Sequence, residues 1–130
     1  MRPRVLIVED DAATREGLRR ILENGGCDCD LAGDGERAVY YLANAKYQAV
    51  ILDLALPKLS GTDVMEYIAS TTPALLESIV VVTGLEAAEI RKLFPTICET
   101  LSKPVLPSRL MAALRRCLQS SGSVSGISVA

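Results

Sequence analysis

Three short runs of consecutive apolar residues, V-L-I-V at 5–8, A-V-I-L at 49–52 and I-V-V-V at 79–82, each stop abruptly at a carboxylate or hydroxyl. Unbroken apolar runs of this length suit strands buried on both faces, which need a covering layer on each side. The intervening segments supply it. Leu18, Ile21 and Leu22 recur at helical spacing in residues 12–24, and Gly25-Gly26 ends the pattern. Residues 27–32 read weakly as a second strand, and Gly33-Asp34-Gly35 turns the chain into a helix carrying Ala38, Val39 and Leu42. Pro57 and Gly61 break the chain before a helix whose Val64, Met65 and Ile68 face inward. Residues 86–94 are helical up to Pro95, and residues 97–102 make a weaker fifth strand. The last helix covers about 108–118, with Leu110, Met111, Leu114, Cys117 and Leu118 on its buried face. Five strands alternating with five helices predict an α/β fold, a doubly wound five-stranded parallel sheet joined by right-handed crossovers. Such a sheet places its ligand at the carboxyl ends of its strands, where the strand order reverses.

With 130 residues, 49% of them hydrophobic, the chain can bury one core and is too short to divide comfortably into two. Residues 1–119 are expected to form the domain. The Ser/Gly-rich residues 120–130 bury too little to fold alone and read as a flexible tail or linker. A formal net charge of -2 offers no basic field for a phosphate backbone, so direct nucleic-acid binding by this segment is disfavoured. No apolar run approaches the roughly 20 residues that span a bilayer, and no signal peptide precedes the first strand, so the expected setting is the cytoplasm, without a membrane. Cys27, Cys29, Cys98 and Cys117 form no C-x-x-C pair, and the chain has no histidine. Zinc and disulfide readings are both weak on that spacing, and small buried hydrophobes are the simpler expectation.

The residues that follow the strands are Glu9, Asp10 and Asp11, then Asp53, Thr83 and Lys103. Carboxylates gathered in one pocket repel each other unless a cation joins them, and ligands this hard suit magnesium, with manganese as the alternative. Magnesium takes one or two carboxylates and leaves room for a phosphoryl oxygen. An aspartate can be the nucleophile that forms an aspartyl-phosphate, while Thr83, Lys103 and the metal would neutralise charge on the transferred group. Taken singly, each residue has a plainer explanation. Asp10 or Asp11 could cap the next helix, Thr83 could satisfy a turn, and Lys103 could be a solvated charge. Four of the five strand ends carrying compatible phosphoryl chemistry together favour the functional reading.

The chain resembles the receiver domains of bacterial two-component response regulators. The resemblance rests on V-L-I-V-E-D-D at 5–11, I-L-D-L-A-L-P-K-L-S-G at 51–61, V-V-V-T-G at 80–84 and L-S-K-P at 101–104, and covers about residues 4–118. It implies the flavodoxin-like strand order 2-1-3-4-5. It further implies that Asp53 accepts a phosphoryl group from a phosphohistidine on a sensor histidine kinase or phosphotransfer protein. Magnesium would be held by Asp10, Asp53 and the backbone carbonyl of Ala55, with Glu9 reaching it through water. Thr83 and Lys103 match the residues that contact the phosphoryl oxygens, and Asp11 is left as a helix cap. The expected role is that of a signalling phosphoacceptor rather than an enzyme, limited to self-phosphorylation and autodephosphorylation. An effector domain C-terminal to this segment and a second copy of the chain are the further partners it allows.

One departure stands out: the family carries Tyr or Phe three residues before the lysine, and this chain has Thr100. The response to phosphorylation is therefore expected in residues 84–89 and the helix after them rather than in the fifth strand. Two enzyme or ligand-binding alternatives are weaker. A phosphohydrolase of the haloacid dehalogenase type needs a second Asp two residues after the nucleophile, where Ala55 stands. A nucleotide-binding module needs a glycine-rich phosphate loop after a strand, and none is present. A domain that keeps the fold without being phosphorylated is disfavoured by the intact Asp10, Asp53, Thr83 and Lys103.

Overall fold

The structure, a computed structural model, describes residues 2–54, 60–83 and 87–120. Its five strands are β1 (Arg4–Val8), β2 (Asp28–Ala32), β3 (Ala49–Asp53), β4 (Ile79–Thr83) and β5 (Glu99–Ser102). All pair in parallel, in the order β2-β1-β3-β4-β5. The helices are α1 (Ala12–Asn24), α2 (Gly35–Asn44), α3 (Gly61–Thr71), α4 (Ala87–Leu93) and α5 (Pro107–Ser120). The expected fold class and strand order are those observed.

Strict alternation along the central strands divides the core in two. Leu6, Val8, Val50, Leu52 and Val81 meet Ala38, Val64, Met65, Ile68 and Ile90 from α2, α3 and α4. Val5, Ile7, Ala49, Ile51, Val80 and Val82 meet Leu18 and Leu22 of α1 and Leu110, Leu114 and Leu118 of α5. The strands are apolar throughout because each successive side chain enters one layer or the other. Full burial of each such leucine contributes about 2 kcal/mol.

The element ends follow local chemistry. Asp11 caps α1, its carboxylate accepting the Thr14 amide at 2.8 Å. Past the other end, Gly26 takes φ 101°, a left-handed conformation that glycine adopts without steric cost. Ser60 and Asp63 form a reciprocal capping box at the start of α3.

Several details differ from the expectations. Pro73–Ser78 forms a short 3₁₀ helix that buries Leu75 and Leu76 between α3 and β4. The fifth strand begins at Glu99 rather than 97, because the turn after Pro95 continues until Ile97 is buried. The last helix reaches Ser120, one residue into the expected tail. Cys98 and Cys117 are not separate apolar fillers: they are joined as a disulfide, with Cα atoms 5.6 Å apart. Cys27 is a buried free thiol, as expected, and Cys29 packs partly buried on the same layer. The Ala55 carbonyl, residues 84–86 and residues 121–130 lie outside the described residues, as do the side chains of residues 87–89.

Candidate functional site

The sheet order reverses at β1, which is followed in sequence by β2 on one side and flanked by β3 on the other. The segments leaving β1 and β3 therefore diverge, and the acidic residues lie at that opening. Glu9 prolongs β1, its amide donating to the Ala32 carbonyl at 3.0 Å, and its side chain is buried. Asp53 ends β3 and is also buried, whereas Asp10 is exposed. One carboxylate oxygen from each of Glu9, Asp10 and Asp53 lies within 4.8 Å of the others.

Lys103 enters from the end of β5. Its Nζ donates to Asp53 Oδ2 at 2.9 Å and lies 3.4 Å from Glu9 Oε1. The backbone locates this side chain, since the Lys103 amide donates to the Thr83 carbonyl at 3.1 Å. Thr83 itself ends β4 one position beyond Val82, the register partner of Asp53, and is buried. The Lys103–Pro104 peptide is cis.

Burial pushes the Glu9 carboxyl above its ordinary range, and the nearby Asp53 charge pushes it further. The Asp11 amide and the Lys103 charge oppose this without cancelling it. For Lys103, burial acts to lower the pKa, but the hydrogen bond and charge of Asp53, with Glu9, leave it raised. Glu9 Oε2 accepts the Asp11 amide at 3.1 Å. Among the described residues, its buried Oε1 has no hydrogen-bond partner, because the Lys103 ammonium is at ion-pair distance without hydrogen-bond geometry. An orphaned buried oxygen beside two further carboxylates is a donor set suited to a hard cation. The cluster could hold a metal ion.

The model of the response regulator receiver domain matches residues 5–115. The chain belongs to the response regulator receiver family. This receiver domain is 34% identical over 116 residues to the response regulator MprA of Mycobacterium sp. (strain KMS), covering 89% of this chain and 50% of that protein. It thus spans about half the length of the curated relatives it matches. A CheY-like receiver domain protein from Methanospirillum hungatei JF-1 superposes with a TM-score of 0.86 at 25% identity, covering 95% of this chain and 98% of that one. A sensor protein from Polaromonas sp. JS666 superposes with a TM-score of 0.81 at 29% identity, covering 93% and 99%. Membership places the receiver domain in two-component phosphorelay signal transduction. No helix among the described residues is long and apolar enough to cross a membrane.

Two residues of this receiver domain have a closer relation to the site than their sequence positions suggested. Gly61 reads in sequence as part of the break before α3, but it packs against the end of β3. A Cβ there would stand 2.6 Å from Leu54 Cα and 2.9 Å from the Asp53 carbonyl oxygen. Arg15, which the sequence pattern did not single out, turns its guanidinium back onto the carbonyl of Glu9.

Proposed function

We propose that this receiver domain accepts a phosphoryl group on Asp53 from a phosphohistidine of a sensor histidine kinase or phosphotransfer protein, in a magnesium-dependent reaction. The observation that carries the reading is Asp53 itself. It is a buried strand-end carboxylate, clustered with Glu9 and Asp10 and held by Lys103.

In the reaction an Asp53 carboxylate oxygen attacks phosphorus, the bond from phosphorus to the donor imidazole breaks, and the imidazole leaves and takes a proton. The product is an acyl phosphate. Lys103 orients the carboxylate before attack and offers its ammonium to a phosphoryl oxygen afterwards. The Thr83 hydroxyl is the second donor for those oxygens. Asp10, Asp53 and the Ala55 carbonyl would hold magnesium, with Glu9 as the outer carboxylate, and the ion would supply charge neutralisation for the group in transfer. Manganese suits the same oxygen ligands.

The domain then acts as a switch rather than a turnover enzyme, changing its contacts with partner or effector. Residues 1–119 are the functional unit, and residues 120–130 are a tail or linker. A cytoplasmic setting fits a donor of this kind.

The test is incubation with magnesium and acetyl phosphate, followed by intact-mass measurement. One phosphate should be added to the unaltered chain and none to Asp53→Asn. Labelling of Asp53→Asn at the same rate would move the acceptor elsewhere.

A further inference from the structure

Arg15 has no part in the steps above. It is the fourth residue of α1, near the positive end of the helix dipole, where a cation gains nothing from the helix. Its side chain turns back toward the strand. Nη1 donates to the Glu9 carbonyl at 2.9 Å and to the Asp10 carbonyl at 3.4 Å. These two carbonyls belong to the peptide planes on either side of the Asp10 Cα. One planar, stiff guanidinium that holds both planes fixes the direction in which the Asp10 side chain leaves the backbone.

Asp10 is the carboxylate that needs such help. Glu9 is anchored through its amide to Ala32 and through its carboxylate to the Asp11 amide, and Asp11 is committed to capping α1. The Asp10 carboxylate is exposed and has no hydrogen bond or ion pair among the described residues. The guanidinium also lies against Gly33. A Cβ at that position would stand 3.2 Å from Nη1 and 3.8 Å from Cζ, so the absence of a side chain there leaves the guanidinium its place.

We infer that Arg15 is a positioning residue for the metal site, clamping the two peptide groups that flank Asp10 so that its carboxylate is aimed at the oxygens of Glu9 and Asp53. The inference rests on the magnesium reading proposed above. Its sign is distinctive. A guanidinium repels a nearby cation, so a purely electrostatic role predicts tighter magnesium binding once Arg15 is removed. A role confined to helix stability predicts unchanged affinity in the folded protein. Positioning predicts weaker binding.

The full chain, Arg15→Ala and Arg15→Lys are titrated with magnesium chloride and followed by amide NMR shifts, with urea unfolding in EDTA alongside. Arg15→Ala should bind magnesium about tenfold more weakly, the usual scale for residues that orient a ligand. Its labelling by acetyl phosphate should recover at saturating magnesium. Arg15→Lys keeps the charge but not the rigid planar group that presents Nη1 to both carbonyls, and its affinity should fall between the other two. Equal or tighter magnesium binding by folded Arg15→Ala overturns the inference. Were Arg15→Ala not to fold, unchanged affinity in Arg15→Lys would overturn it as well. Absence of binding by the unaltered chain would instead remove the magnesium reading, and this inference with it.

Discussion

Lys103 Nζ lies 2.9 Å from Asp53 Oδ2, a contact between residues 50 apart in sequence that spans from the end of β5 to the end of β3 with β4 between them. The lysine stem must cross the whole width of β4 to make it. The bond from the Lys103 amide to the Thr83 carbonyl sets where that stem begins. One ammonium thus faces two buried carboxylates, Asp53 and Glu9, and does not cancel the burial, and after it the Asp53 charge, that hold the Glu9 carboxyl above its ordinary range.

Replacing Lys103 with methionine keeps much of the stem volume and removes the charge. Because the ammonium is partly exposed, the loss should be near that of one charged hydrogen bond, about 2 kcal/mol. Urea unfolding in EDTA should show this loss for Lys103→Met. Magnesium should restore part of it, since a ligand that binds only the folded state adds stability by mass action. A midpoint unchanged in EDTA would mean that Asp53 does not depend on the lysine.

The sheet was legible because its three central strands, β1, β3 and β4, are buried on both faces, which turns each into an apolar run ending where the chain meets the site, whereas the edge strands β2 and β5 are partly exposed and gave only a weak pattern. The same runs located Glu9, Asp53 and Thr83 without any tertiary information. The 3₁₀ segment Pro73–Ser78 was not legible, since two tight turns with two adjacent leucines are too short to show a period. The reach of Arg15 was equally hidden. Nothing in sequence distinguishes an arginine that bonds backbone carbonyls from one that faces water. The pairing of Cys98 with Cys117 depends on how α5 lies across β5, which no spacing rule contains.

That disulfide closes a segment that includes β5, Lys103 and most of α5. With a sequence separation of 19, the chain-entropy relation gives about 3 kcal/mol of stabilisation relative to the reduced chain. Adding dithiothreitol should lower the urea midpoint by a corresponding amount, and Cys117→Ala should be insensitive to the reductant. Identical unfolding with and without dithiothreitol would show that the crosslink contributes nothing to stability.

Cys29 gives a prediction at alkaline pH. Burial pushes its thiol up to about 12, and burial also raises the neighbouring Cys27. A thiol with a raised pKa keeps its proton in the folded state after the unfolded chain has lost it. Its stabilisation is therefore complete below the ordinary value of 9.0 and is lost as pH climbs from there toward 12. Cys29→Ala should flatten the fall of the urea midpoint between those pH values by at most about one proton's worth of slope. Equal slopes in the two proteins would contradict the shift.

Thr100 bears on how a phosphoryl group at Asp53 would be sensed. It pairs with Val81 on β4 and is half-buried, and because Leu101 enters the α1 and α5 layer, alternation turns Thr100 toward the opposite layer. A switch needs contacts that differ between two states, and a threonine here has no large ring to exchange between exposed and buried positions. Thr83 and Lys103 are the side chains placed to register the new charge. With magnesium and beryllofluoride as the mimic, amide shifts should be large at Thr83 and Lys103 and in residues 84–90, and small at Thr100. In Thr100→Tyr the restored ring should extend the response into β5. Large shifts at Thr100 in the unaltered chain, comparable to those at Thr83, would mean that the fifth strand switches without an aromatic side chain.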